Sequence, residues 1–527
     1  HGPPPSYRRP APAAAAAGSG RPELTRLARQ GSLGLVGAAV SAVLGFAYVV
    51  VLGRGLGAGG AGLVLEAVAV FTILANATEL GADTGLVRML PLLIAGGRRR
   101  DVRSAIEVAI VPPLVASVIA AGALALFAPQ LADVFIRHEH ATEAVRMLRI
   151  LAPFLPLATL ATLSLAASRS FGSIVPYVAI QNVGIPLLRP LLTVASISLG
   201  LGIVSAALAW SMPLALAAVL SLAVLGRGLV RSRRRERASI VPRAPRRDVA
   251  REFWSFAAPR GLTGVLAVTL LWFDVLLVGA FLSTREAGVY ASASRYVVAG
   301  TFALQALGLA IGPQISRLLA EQRREEAGDV FRMATCWLMA LSWPLYLTMA
   351  IFSPVLMGLF GAEFRTGSTS LTILALALLV LMGTGNNKIV LLMAGKSSSN
   401  LAITGVTLVL NVVLDLWLIP VLGINGAAIG WGVATVVDNV LTTLVLHRAV
   451  GLDPFGRAYP IVAGGALLCF GGVGLLVRSV LGATYPAVVL YLALALPPFL
   501  ALLWRQREVL HLRAFRSMLR PGAGAFS

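Results

Sequence analysis

Apolar runs of about twenty residues or more follow one another along nearly the whole chain, separated by short stretches in which the arginines collect. A helix that crosses a bilayer needs about 20 mainly apolar residues. The runs place spans near 31–53, 61–90, 104–127, 147–168, 175–199 and 203–226, then near 258–282, 287–315, 330–352, 367–393, 400–421 and 425–447, with two more at 459–480 and 484–504. The pattern predicts an all-α integral membrane protein with fourteen transmembrane helices.

The second set of six repeats the first. Residues 201–210 read LGIVSAALAW and residues 422–431 read LGINGAAIGW, six identities in ten positions. Phe127-Ala-Pro129 returns as Phe352-Ser-Pro354, and LAVLGR ending at Arg227 returns as TLVLHR ending at Arg448. Separations of 221 to 225 residues are far longer than the 20–50 residue period of a solenoid. They describe one ancestral unit used twice, the plan of transporters whose substrate site lies between homologous halves. The expected organisation is a disordered tail at 1–24, an N-lobe at 25–227, a basic linker at 228–257, a C-lobe at 258–448, the two additional helices at 449–504 and a basic tail at 505–527. With an even number of spans in each half, the lobes should be related by a pseudo-two-fold along the membrane normal.

Composition agrees with this reading. The 527 residues are 57% hydrophobic and 13% charged, against about 25% charged in soluble domains, and mean hydropathy is +0.83. The net charge of +21 does not indicate nucleic-acid binding, because the arginines flank membrane spans and no basic globular domain carries them. They set topology and meet anionic lipid headgroups. Arginines cluster at 21–29, 98–103, 227–260, 317–324 and 505–520, all on one side of the predicted spans, which places both termini in the cytoplasm. Phe253, Trp254 and Phe256 beside Arg251 suit either an interfacial helix leading into span seven or a plain solvated linker. Cys336 and Cys469 both fall in spans, and His138 and His140 form an RHEH loop sequence without zinc-site spacing. There is no phosphate-binding G-x-x-x-x-G-K-[ST] loop, so no cofactor and no metal is expected, and transport rather than catalysis.

A charge near mid-membrane costs about 2.5–3.5 kcal/mol on insertion scales and normally faces a cavity or a partner. Arg189 lies about 21 Å into span five at 1.5 Å per residue, bracketed by Pro186 and Pro190, which open the helix by removing backbone donors. It is a candidate for binding an anionic substrate bidentately or for a structural ion pair. Asp274 in span seven and Arg295 in span eight lie at equal depth, about 12 Å below the same surface, so a salt bridge across that hairpin is the simplest expectation. Substrate phosphate or a coupling cation competing for one partner is the sharper one. Lys388 is expected to pair with Asp438 or to snorkel at the cytoplasmic rim. Glu66, Glu79, Asp83 and Arg88 lie along span two, Glu79 and Asp83 on one helical face, as a candidate cytoplasmic gate. Gly81 and Gly85 have the small-xxx-small spacing of close helix packing.

The chain resembles the polysaccharide transporter branch of the flippase superfamily that also holds O-antigen flippases, lipid II flippases and MATE-type multidrug exporters. The resemblance runs over residues 24–505 and is carried by LGRGLGAGGAG around Arg54, ELGADTGLVR ending at Arg88, FDVLLVGAFLSTREAGVY, IGPQIS from Ile311 to Ser316, LFGAEF, and NVVLDLWLIPVLGINGAAIG from Asn411 to Gly430. It implies two six-helix lobes that alternate between inward and outward openings around a cationic cavity. The implied cargo is a polyprenyl-pyrophosphate-linked oligosaccharide, flipped from the inner to the outer leaflet of a bacterial cytoplasmic membrane for surface polysaccharide biosynthesis. Its partners would be that substrate, membrane lipids and polysaccharide assembly proteins. By this likeness Arg54 and Arg88 match arginines of family motifs and join Arg189, Arg295 and Lys388 as substrate-binding candidates, while Glu66, Asp83, Asp274 and Asp438 are left for coupling or gating. Gly59-Gly60 departs from the charged or bulky turn residue of relatives, which implies a flexible first outer turn. The competing function is a multidrug or small-molecule exporter on the same fold. Arg189→Ala is expected to abolish transport while preserving folding; normal transport by that variant after reconstitution would remove Arg189 from the site.

Overall fold

The computed structural model describes residues 20–136, 141–171, 173–236 and 244–508, and every regular element among them is helical. His138 and His140, residues 1–19 of the N-terminal tail, and Arg513, Arg516 and Arg520 of the C-terminal tail lie outside the described residues. The N-lobe is built from α1 (Gly20–Glu79), α2 (Ala82–Ala95), α3 (Asp101–Leu126), α4 (Ala128–Phe135), α5 (Ala141–Leu151), α6 (Phe154–Arg169), α7 (Val175–Tyr177), α8 (Ile185–Ser198) and α9 (Val204–Glu236). Then follow α10 (Arg246–Phe281), α11 (Thr284–Ala320), α12 (Arg324–Ile351), α13 (Ser353–Met357), α14 (Ser368–Gly383), α15 (Asn387–Met393), α16 (Ser397–Leu422) and α17 (Ile424–Val450) of the C-lobe. The last helices are α18 (Tyr459–Ala466), α19 (Val473–Leu481) and α20 (Tyr485–Arg505).

Eleven stretches are long and apolar enough to cross a membrane, or twelve with the α5–α6 pair, which bends by 42°. Against the expected fourteen, Leu33–Ala95 counts once although it is 63 residues long, and α11 is not counted. A straight helix of that length would measure roughly 95 Å at 1.5 Å per residue, three times the hydrocarbon core. The chain turns back inside it: Gly37 lies against Val178 and Asn182 before the break, whereas Gly60 lies against Ile203 and Gly81 against Ala257 and Gly261 after it.

The breaks follow from local chemistry. Gly57, with φ 69° and ψ −179°, occupies a region that side chains disfavour, and the freed N–H of Ala58 donates to Glu363 Oε1 at 2.7 Å. The turn is therefore capped at Gly57, while Gly59 and Gly60 are helical; the expected flexible Gly59-Gly60 turn is not what forms. A second break falls at Leu80 (φ 52°) and Gly81 (φ 74°), dividing span two between α1 and α2. It separates Glu79 from Asp83, which do not share one continuous helical face. Span five opens through a π-helical segment, Val178–Gly184, just before Pro186 in the first turn of α8, where the wider turn accommodates a residue that has no N–H to donate. Between α14 and α15 the helix unwinds at residues 384–386.

Lipid-facing positions form a belt of exposed apolar side chains, among them Leu126, Val219, Val409, Leu468 and Val480. The basic linker is helical at both described ends, since α9 runs on to Glu236 and α10 begins at Arg246. Phe253 is buried beneath α2 against Gly85 rather than lying at an interface. Helices α18–α20 dock on α12: Tyr491 bonds Thr348 at 3.0 Å, its ring sits 5.0 Å from that of Phe352, and Arg478 donates to the Ile351 carbonyl.

The lobes touch backbone to backbone at two levels. At the end carrying Arg98–Arg103 and Arg246, here the basic end, a Cβ on Gly261 would fall on the backbone of Leu80 and Gly81. At the opposite end a Cβ on Gly288 would fall on the Ala58 carbonyl and the backbone of Gly62. Between them Phe46 of α1 packs edge-on against Tyr296 of α11, ring centres 5.0 Å apart. Small residues permit such approach, closer than the usual 8–10 Å helix separation. Gly261→Leu is expected to widen the basic end by about 2 Å toward that ordinary spacing, and Gly288→Leu the opposite end. Spin-label distances measured across each end check this; an unchanged distance in both variants would count against these contacts as the closures.

Candidate functional site

The most concentrated chemistry lies inside the C-lobe. Asp274 on α10 is 4% exposed and Asp415 on α16 is 0% exposed. Tyr290 O–H donates to Asp274 Oδ2 at 3.0 Å, and Asn411 Nδ2–H donates to Asp415 Oδ2 at 2.7 Å. The two carboxyl groups lie within hydrogen-bonding reach of one another, and each keeps its Oδ1 buried without a partner. Gly430 of α17 closes the pocket, since any side chain there would strike Asp415 Oδ1. Two carboxylates side by side in a dry site repel, and both ionise only if a cation stands between them. The donor set therefore suits a proton or a small cation.

The expected Asp274–Arg295 salt bridge does not form. Arg295 instead lies over Trp272, its guanidinium carbon 4.4 Å from the ring centre, and its Nε is buried without a partner. Trp272 and Asp274 are two residues apart, about 200° around a helix, so facing Trp272 turns Arg295 away from Asp274. Equal depth fixed the height of the two side chains and said nothing of their azimuth.

The Lys388–Asp438 pair is present, Nζ to Oδ2 at 2.8 Å. Asp438 also accepts from Thr407 Oγ1 at 3.2 Å. Thr407, Asn411 and Asp415 stand four residues apart on α16, one above another on a single face. A polar stripe thus runs from the Lys388–Asp438 pair to the carboxylate pocket. The unwound turn beside Lys388 is held by Asn439, which accepts from Thr384 at 2.8 Å and from Asn387 at 3.3 Å. Neighbouring side chains in this way replace the bonds that a broken membrane helix loses.

In the N-lobe, Arg189 of α8 points at α9: its Nε donates to the Trp210 carbonyl at 3.2 Å and its guanidinium carbon lies 3.9 Å from the Trp210 ring centre. Tyr48 of α1 and Thr193 of α8 border it. Neither Arg189 nor Arg295 forms a salt bridge with a carboxylate among the described residues. Glu66, 0% exposed, lies beside Gly279 and the Phe135 carbonyl, and neither of its oxygens meets a donor among the described residues.

Arg54 and Arg88 sit at the two rims of the lobe contact. Arg54 donates to the Leu359 carbonyl at 2.8 Å, next to Glu363, which binds Ala58 N–H and pairs with Arg285 at 3.5 Å. Arg88 lies 3.9 Å over the Phe256 ring at the basic end, where Arg98 bridges Asp101 at 2.9 Å and Glu252 at 3.0 Å. Partial burial works against the Arg98 charge, but its hydrogen bonds to Asp101 and Glu252 outweigh that and raise its pKa. Buried Asp101 also accepts from Ala244 N–H at 2.9 Å, tying the described end of the linker to the N-lobe. Asp83 lies close to Glu79 at this same rim. The five expected substrate cations therefore stand at separate places: two at the rims, one in the N-lobe, one beside α10, one in the C-lobe pair. Sequence reasoning missed Asp415 and Glu363, and placed Tyr48 only as the first-half counterpart of Asp274. For Asp415 the signal existed, a polar pair four residues apart in an otherwise apolar span.

Two family models match the chain. A model described as polysaccharide biosynthesis protein matches residues 27–319, and one described as MatE matches residues 259–417. The probable low-salt glycan biosynthesis flippase Agl15 of Haloferax volcanii is 27% identical over 211 residues, which is 38% of this chain and 43% of that protein; the match thus spans less than half of the curated relative. The lipid II flippase MurJ in an inward closed conformation superposes with a TM-score of 0.70 at 12% identity, covering 90% of this chain and 98% of that one. An inward-facing multidrug resistance MATE family transporter superposes with a TM-score of 0.62 at 16% identity, covering 78% and 94%. At these identities the structural likeness establishes the fold alone.

Lys388→Met leaves Asp438 without its cation and, for a pair whose lysine is 42% exposed, should lower stability by about 1 kcal/mol. Lys388→Met/Asp438→Asn should recover most of that loss. Thermal melts of the four proteins of this cycle in detergent give the coupling directly; additive effects would mean the pair does not interact.

Proposed function

The chain belongs to the polysaccharide biosynthesis protein family, whose model covers more than half of it, and on that premise we propose that it is a flippase for a polyprenyl-pyrophosphate-linked oligosaccharide. The observation that carries the reading is the pair of guanidiniums inside the lobes, Arg189 and Arg295, that stack on tryptophans and have no carboxylate partner among the described residues. A bilayer-embedded cation without a counter-charge suits an anionic cargo, and the planar guanidinium matches phosphate oxygens. A pocket for cationic drugs would instead present unpaired acid and aromatic faces.

In this reading the basic end faces the cytoplasm of a bacterial cell, and both termini lie there. The headgroup enters between the lobes when the Gly81–Gly261 contact parts, and leaves on the other side when the Gly62–Gly288 contact parts. Arg54 on the Leu359 carbonyl, and Arg88 on the Phe256 ring, latch the two rims. A cation or proton in the Asp274–Asp415 pocket changes the charge buried inside the C-lobe and so biases which contact is closed. Lys388 and Asp438 stand at the mouth of the stripe that leads there, and Glu66 on α1 and Asp83 on α2 lie on either side of the break in span two, near the two contacts. The energy comes from an ion or substrate gradient.

The MATE-like fold supports a second reading, export of small molecules, and the Asp274–Asp415 pair is the feature that favours it. One experiment separates the two. In a host lacking this gene, a pyrophosphate-linked oligosaccharide should build up on the cytoplasmic leaflet, detected by mass spectrometry with leaflet-selective labelling. No accumulation, together with new sensitivity to cationic compounds, would overturn the flippase reading in favour of the exporter.

A further inference from the structure

The duplicated lobes carry the same pocket twice with opposite chemistry. Tyr48 precedes Asp274 by 226 residues, and Trp210 precedes Trp431 by 221. On α8 the pair Arg189 and Thr193, and on α16 the pair Asn411 and Asp415, are each four residues apart and so share one helical face. The pocket of each lobe is thus built from corresponding helices: α1, α8 and α9 in the N-lobe, α10, α16 and α17 in the C-lobe.

The C-lobe pocket has a surplus of acceptors, because Oδ1 of Asp274 and Oδ1 of Asp415 are buried without partners. The N-lobe pocket has a surplus of donors. The Tyr48 hydroxyl and Thr193 Oγ1 are buried neighbours; a contact between two hydroxyls uses one O–H at most, so the other is left to donate. Tyr48 is 5% exposed and Thr193 0%. Arg189 spends one face on the Trp210 ring and one N–H on the Trp210 carbonyl. Only its Nε–H is spent on that carbonyl, and its guanidinium forms no salt bridge with a carboxylate among the described residues. Arg189 and the two hydroxyls thus bring together more N–H and O–H groups than the Trp210 carbonyl and one hydroxyl-to-hydroxyl contact take up.

We propose that Arg189, Tyr48 and Thr193 form an anion subsite inside the N-lobe, the donor-rich counterpart of the carboxylate pocket in the C-lobe. Its ligand is a small anion with compact acceptor atoms. Two sources offer that chemistry: a free inorganic anion held as part of the fold, or a phosphate group of the cargo. The subsite deepens the flippase reading by giving Arg189 two accompanying donors. It stands or falls by binding alone, with Arg295 as the separate cargo cation.

The test uses the purified full chain in detergent at constant ionic strength, with gluconate as the inert anion. Chloride and inorganic pyrophosphate are titrated while thermal unfolding is followed. Wild type should show a saturable rise in Tm with at least one of them. Tyr48→Phe/Thr193→Val, which keeps the shape and removes both hydroxyls, should raise the half-saturating concentration about tenfold, the effect of about 1.4 kcal/mol. Arg189→Met should abolish the response, and Lys396→Met, at an exposed position between α15 and α16, should retain it. Saturation by chloride identifies a resident inorganic ion; saturation by pyrophosphate alone identifies the cargo's phosphates. No saturable response in wild type, or an unchanged titration in Tyr48→Phe/Thr193→Val, overturns the subsite, and the leaflet-labelling experiment remains free to succeed or fail independently.

Discussion

Backbone contact between glycines governs how this protein is assembled. Where Gly62 meets Gly288 and Gly81 meets Gly261 there is no space for a side chain, so α1 and α2 press directly on α10 and α11. Helices in lipid gain no hydrophobic drive from touching one another and associate through close packing instead. The contacts also decide where polar groups go. Long charged residues gather at the rims, as Arg54 and Arg88 do, and the buried ones turn inward into their own lobe, as Asp274, Asp415 and Arg189 do.

Inside each lobe the arrangement obeys the rule that bilayer interiors impose on charge. Asp438 is matched by Lys388 and by Thr407, and the unwound turn before α15 is matched by Asn439. Matching stops at Glu66, at Arg295 and in the corresponding pockets of the two lobes. Duplication supplied the same three-helix frame twice, and substitution of a few side chains gave one copy excess donors and the other excess acceptors. The halves are alike in fold and unlike in electrostatics.

Much of this was legible in the amino-acid order. The apolar runs and the repeat at 221 to 225 residues gave the helical class and the two lobes, because span length and duplication are properties of the chain itself. Lys388 and Asp438 were paired from depth alone, and the pairing formed. Asp274 and Arg295 were paired by the same reasoning and did not, because rotation about the helix axis, set by Trp272, is invisible in depth. Glu79 and Asp83 were given one face because a continuous helix was assumed through Gly81, whose positive φ divides it. Glu363 escaped notice because its role is to receive an N–H freed by a break at Gly57, and that role exists only once the chain is folded. The opening of span five lay in a π-helical segment one turn before the prolines that suggested it.

The two last helices make the halves mechanically unequal. Through Thr348, Ile351 and Phe352, α18–α20 are fastened to α12 of the C-lobe, adding an apolar flank without a counterpart in the N-lobe. The bilayer's lateral pressure then acts on a wider perimeter on one side of the molecule than on the other.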